Sequence, residues 1–227
     1  MEAKSSSPLR PSVWSLPAGR HGLARELVSG SQRERLLYGV IMATAELGYA
    51  ATTVADVLER AGVSRKTFYQ HFPDKLECFL AAHEVGRDAM MAAVLAVIEQ
   101  PSDDPVAQLR AVNHAYLSAV ADEPAFAKSF FVEIYAAGPV ARERRTECRR
   151  QLADLLEAWH ASLSGRHPEH RPIPASACSA AMGAADTLAT DYLREHPAEG
   201  LVALEPDISY AILALLGLPR AADAVAR

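Results

Sequence analysis

The sequence predicts an all-α protein, with a short three-helix head followed by a larger helical body. Three observations carry that prediction. Half of the residues are apolar while aromatics make up only 7%, a composition that suits packed helices better than a broad sheet. Apolar residues recur at three- and four-residue spacing, and no alternating run is long enough for a strand pair. Caps, glycines and prolines punctuate those periods at helix-length intervals.

Residues 1–30, rich in Ser, Pro and Gly, read as a flexible leader with basic residues Arg10, Arg20 and Arg25. Such an arm suits phosphates or a minor groove. The head spans 31–75. From Gln32, Leu36, Leu37, Val40, Ile41 and Ala45 share one helical face, which Gly48 ends. Thr53 and Asp56 form a capping box for a short helix that Gly62 stops. Ser64 caps the next helix, Arg65 to His71, and Phe72-Pro73-Asp74 breaks it. The body, 76–227, begins within a long helix from Lys75 to Glu99. Asp104-Pro105 opens a helix to Val120, and Pro124 opens another containing Phe126, Phe130, Phe131, Ile134 and Tyr135, ended by Gly138-Pro139. An amphipathic helix over 142–163, a Pro/His/Arg-rich loop over 164–174, helices over 176–195 and 206–216, and an Ala-rich tail complete the chain.

Charge is uneven along the chain. Residues 1–75 carry ten Lys/Arg against seven Asp/Glu, and residues 76–227 thirteen against twenty-one. A mildly basic head on an acidic body fits a polyanionic partner for the head. Cys78, Cys148 and Cys178 lack metal-ligand or disulfide spacing, so a reducing cytoplasm is expected. No apolar run is long enough for a membrane span. No HExxH, P-loop or dinucleotide fingerprint is present, so neither catalysis nor a cofactor is expected. His160, His167, Glu169 and His170 read as a solvated loop rather than a metal site.

Three short helices, the second and third joined by Gly62-Val63-Ser64, match a helix-turn-helix, which presents its third helix outward. Phe68 and Phe72 fall on the buried side, leaving Arg65, Lys66, Tyr69 and Gln70 on other faces. Arg65 or Lys66 can donate to guanine, and Gln70 can read adenine. Ser64 begins the reading helix, Thr67 suits a phosphate or thymine contact, and Tyr69 and His71 suit phosphate contacts. Thr52, Thr53 and Lys75 lie at flanking helix starts, where phosphate clamps are useful.

The stretch Gly48-Tyr49, Thr52-Thr53-Val54, Asp56-Val57, Ala61-Gly62-Val63-Ser64, Thr67-Phe68-Tyr69, His71-Phe72 and Lys75 strongly resembles the N-terminal signature of the TetR family of bacterial regulators, over residues 32–80. Two positions depart from it. Thr44 stands where members commonly carry a large aromatic residue, and Leu58 replaces a usual small one. The resemblance implies a helix-turn-helix head followed by a helical dimerisation and ligand-binding domain. It assigns DNA contacts to Arg65, Lys66, Thr67 and Tyr69, and a phosphate contact to Lys75.

In the body, Ala180, Ala181, Ala184, Leu188, Ile212, Leu213 and Leu216 can form an intersubunit four-helix bundle or cover the monomer core. The resemblance favours a homodimer, which would require a roughly palindromic site. Tyr116, Phe126, Phe130, Phe131, Tyr135, Trp159 and Met182 are candidate walls for an apolar or aromatic effector. The expected function is a repressor released from a palindromic operator by a small molecule. The alternatives are a ligand-independent regulator, an activator, and a helical adaptor without selective DNA binding.

Overall fold

The structure is a computed structural model that describes residues 25–100, 102–166, 173–174 and 176–225. Most of the basic leader, and His167, Glu169 and His170, lie outside the described residues. All regular structure among the described residues is helical. No described helix is long and apolar enough to cross a membrane.

The head consists of α1 (Arg25–Leu47), α2 (Val54–Ala61) and α3 (Arg65–His71). Helix α1 begins ahead of Gln32 and takes in residues 25–30, expected as leader; no proline stands between Pro17 and Pro73 to stop it. Leu36, Leu37, Val40 and Ile41 are buried. Gly39 lets α1 approach α2 closely, since a Cβ there would stand 2.9 Å from the Val57 carbonyl oxygen. Thr53 and Asp56 form the reciprocal capping box, and Gly62 closes α2 in the left-handed conformation at φ 61°. Ser64 caps α3 by accepting from the Thr67 N–H at 3.1 Å. Phe68 and Phe72 turn inward into the shared core.

Helix α4 (Lys75–Ile98) carries the chain out of the head. It is followed by α5 (Pro105–Ala121) and α6 (Pro124–Phe131), each with proline in its first turn, where the missing N–H costs nothing. Helix α6 is shorter than expected. The chain tightens into a 3-10 turn over Glu133–Ala137, reverses at Gly138 with φ 98°, and restarts at Pro139 as α7 (Pro139–Arg166). Pro139 therefore opens a helix as well as marking an end. Helix α8 (Ala177–Glu195) and α9 (Glu205–Leu215) pack together with a 3-10 segment, Ala198–Leu204, between them. The expected Ala-rich tail contains α10 (Pro219–Val225), because Ala222 and Val225 bury against α9.

One contiguous core runs from Leu36 to Val225, so head and body share packing. A polar bond reinforces the join. The backbone N–H of Tyr49, just after α1, donates to Glu133 Oε2 at 2.8 Å. Helix α5 is fixed to α9 by Arg110, whose Nε and Nη2 donate to the two Glu205 oxygens at 3.0 and 2.9 Å. That fork holds the Glu205 carboxyl below the usual carboxylate range.

Candidate nucleic-acid interface and effector cavity

Helix α3 is amphipathic over only two turns. Phe68 is fully buried, whereas Tyr69 is 52% exposed, and Arg65, Lys66 and Gln70 are exposed as well. These four make no side-chain hydrogen bond or ion pair among the described residues. Their donors therefore face solvent on a helix whose opposite side is anchored. The other candidates are arranged differently. Ser64 and Thr67 are joined hydroxyl to hydroxyl at 2.9 Å. Thr53 is exposed, with its hydroxyl donating to Asp56 Oδ2 at 2.5 Å. His71 is half-buried, and burial lowers its pKa, so the neutral form is favoured.

Thr52 and Lys75 were expected as phosphate clamps, and the structure gives both internal work. Thr52 is buried and its hydroxyl donates to the Gly48 carbonyl at 2.8 Å. The Lys75 ammonium donates to the carbonyls of Tyr49 and Thr52 at 2.7 and 2.6 Å and lies 4.0 Å from the centre of the Tyr49 ring. The turn between α1 and α2 leaves backbone carbonyls that need donors, and these two side chains supply them in place of the expected phosphate contacts. Lys75 thereby pins α4 to the head.

The body encloses a cavity of about 650 Å³ between α4, α5, α7, α8 and α9, a size suited to a small molecule. Tyr116, Phe131, Trp159 and Met182 line it. The other three aromatic candidates sit elsewhere. Phe126 and Phe130 are packed around His83, and Tyr135 is 38% exposed beside Asp186. Their helical spacing was compatible with core and with cavity, and core packing claims the first two. Burial pushes the His83 imidazole down to about 3, so this ring sits neutral and bonded to Ser129 at 3.1 Å.

Sequence reasoning missed the charged part of the cavity wall. Arg145 and Arg149 share the Asp186 carboxylate, and all three line the space. The Arg145 guanidinium lies 4.2 and 4.5 Å from the ring centres of Phe130 and Phe131. A signal existed. Arg145 and Arg149 continue the face of Leu152, Leu156 and Trp159 at four- and three-residue steps, so two charges stand where an amphipathic α7 should be apolar.

Among the dimer candidates, Ala181, Ile212, Leu213 and Leu216 are sealed inside the single chain. Burial within one chain places these four in the monomer core, the other of the two places their sequence allows, rather than at a surface. Ala180 and Leu188 on α8 remain exposed and Ala184 half-buried, as Tyr210 and Leu215 are exposed on α9, which packs against α8. Among the described residues no group of three or more His, Cys, Asp or Glu side chains is placed to hold a metal ion.

The family described as bacterial regulatory proteins, tetR family, matches residues 42–82, the segment from the end of α1 into α4. A curated relative, the HTH-type transcriptional activator FasR of Mycolicibacterium smegmatis, is 28% identical over 123 residues. That match spans 54% of this chain and 56% of the relative, about half the length of each. The fold is similar to that of the fatty acid degradation regulator FadR from Bacillus halodurans, with a TM-score of 0.67 and 18% identity over 82% of this chain and 95% of that one. It is also similar to the transcriptional regulator FadR from Bacillus subtilis, solved in complex with stearoyl-CoA. The TM-score there is again 0.67, with 16% identity over 79% of this chain and 97% of the other. The helix-turn-helix segment thus matches the tetR family of bacterial regulatory proteins, and the all-helical architecture around it is similar to that of solved regulators.

Proposed function

We propose that the protein is a sequence-specific DNA-binding transcriptional regulator that works as a homodimer and is controlled by a small molecule held in the body cavity. The single observation that carries DNA binding is the outward face of α3. Arg65, Lys66, Tyr69 and Gln70 are exposed, and their polar groups make no side-chain hydrogen bond or ion pair among the described residues, on a helix locked from behind by Phe68 and Phe72. Arg65 and Lys66 supply donors for guanine edges, Gln70 a two-sided amide for adenine, and Tyr69 a hydroxyl for phosphate. Ser64, Thr67 and Thr53 hold the helix starts in place. One such helix reads only a few base pairs, so a second copy related by two-fold symmetry is needed for selectivity. The exposed residues of α8 and α9, Ala180, Leu188, Tyr210 and Leu215, are the proposed contact between copies.

The regulatory link runs through Glu133. Phe131 lines the cavity, and two residues later Glu133 accepts from the Tyr49 N–H in the turn that leads to α2. A ligand that favours one position of this segment shifts the spacing of the two reading helices. Fatty acid regulators and a stearoyl-CoA complex among the similar structures support an elongated aliphatic effector for this cavity. Release from DNA on ligand binding is the expected direction. The relative named as an activator makes activation of transcription the second reading.

The test is selection of bound duplexes from a random pool at a stated moderate salt concentration. Enrichment of an inverted repeat with half-sites about one helical turn apart supports the proposal; the absence of any enriched sequence contradicts it.

A further inference from the structure

The cavity is polarised from end to end. Arg144 pairs with Glu84 in the first half of α4 at 3.2 Å, and the Arg145 guanidinium lies on Phe130 and Phe131, next to the segment whose Glu133 bonds the head at Tyr49. Arg145 and Arg149 therefore mark the head-proximal end. Ile98, Glu99, Ser102 and Asp103 mark the far end, where Gln108 also bonds the carbonyls of Ile98 and Gln100. Between them α7 rises about 21 Å from Arg145 to Trp159, along walls that are mostly Leu, Ile and Val.

Charge is arranged along that axis. At the near end two guanidiniums face one carboxylate, Asp186. The other titratable groups there are Tyr116 and Cys148, which burial keeps protonated and neutral, and Tyr135, whose hydroxyl donates to Asp186 at 3.5 Å. Arg145 is nearly inaccessible, and its Nε has no hydrogen-bond partner. The Arg149 side chain retains 34% exposure, so water relieves part of the surplus positive charge. The far end instead carries the exposed acids Glu99 and Asp103.

We propose that the effector is a single-chain long aliphatic carboxylate, held with its anionic group inward against Arg149 and Arg145 and its chain extended towards Ile98 and Trp159. An apolar chain filling the cavity strips water from Arg149, and a neutral ligand offers nothing in exchange for the lost solvation. A carboxylate restores it with charge-assisted hydrogen bonds of fork geometry. A coenzyme A ester lying chain-first against the two guanidiniums is disfavoured, because its methyl end is uncharged and its phosphates would meet the exposed acids Glu99 and Asp103. This assignment rests on the reading of the body cavity as an effector site.

Isothermal titration of the full chain with hexadecanoate, hexadecanol and hexadecanoyl-CoA, each below its micellar concentration, tests it. Hexadecanoate should bind about ten-fold or more tightly than hexadecanol, the effect of one charge-assisted bond. Arg149→Gln should close that gap by weakening hexadecanoate alone. Arg149→Glu should reverse it, with hexadecylamine becoming the preferred probe; thermal unfolding checks that both variants fold. Equal binding of acid and alcohol, tightest binding of the coenzyme A ester, or a preference untouched by Arg149→Gln each overturns the proposal. If no chain binds while duplex selection still yields an inverted repeat, the carboxylate assignment falls and DNA regulation stands. If hexadecanoate binds as described but no duplex is selected, the assignment stands and the regulator reading falls.

Discussion

The head and the body are built from the same helical units but use them oppositely. In the head every short helix is fixed at both ends, by the Thr53–Asp56 box, the left-handed Gly62, the Ser64 cap and the Lys75 anchor, so that one exposed face is presented without freedom. In the body long helices are spaced apart by large side chains and leave a cavity of about 650 Å³. Close packing fixes geometry for reading a polymer, whereas an incompletely filled interior leaves room for a ligand and for movement.

The largest expected effect breaks the head. Phe68→Ala removes a fully buried ring from a small core shared with Phe72 and α1. It should cost about 3–5 kcal/mol in urea unfolding. Leu152→Ala, on the cavity wall, should cost clearly less than Phe68→Ala, since its side chain already borders empty space. Equal losses would mean that the cavity is closed in solution.

Next in size is a pH effect in the joint between the two regions. His83 is buried among Phe79, Phe126 and Phe130, with its proton affinity pushed down to about 3 by burial. The unfolded chain takes up a proton below about 6.5, while the folded chain does not until about 3. Stability from this group is therefore full above 6.5 and falls as pH drops through that window, by up to about 1.4 kcal/mol per pH unit. Urea midpoints between pH 7 and 5 should show this slope in the wild type and lose it in His83→Gln. An unchanged slope in the variant would contradict the assignment to His83.

Smaller still is the loss of one cap. Thr53→Ala removes the hydroxyl that accepts from the Asp56 N–H at 3.3 Å. It should cost about 1 kcal/mol of stability and lower DNA affinity through looser placement of α2. If unfolding is unaffected while DNA binding collapses, Thr53 contacts DNA directly.

Much of the head was legible because its rules are local. A capping box, a left-handed glycine and an Ser64 cap are each written within four residues, and so were found where the structure has them. The fate of Lys75 was less legible, since the carbonyls it satisfies belong to a turn more than twenty residues earlier in the chain. The body was read well as a list of helices and poorly as a space. Phe130 and Phe131 are adjacent in sequence, yet one packs on His83 and the other borders the cavity. Helical period tells that a residue points inward, but not whether another side chain meets it there. Arg145 shows the reverse case, as a charge on an inward face that belongs to the cavity wall.

The central claim is that the outward face of α3 reads base sequence while the surrounding residues only hold it. It is tested most directly by measuring binding to the selected inverted repeat, and to copies changed at one base pair per half-site, for the wild type, Arg65→Ala and Lys75→Met. The account predicts that Arg65→Ala costs about 1–3 kcal/mol per contacted guanine and loses discrimination at one symmetric position. Lys75→Met should weaken every duplex alike. Uniform weakening by Arg65→Ala, with discrimination intact at all positions, would contradict it.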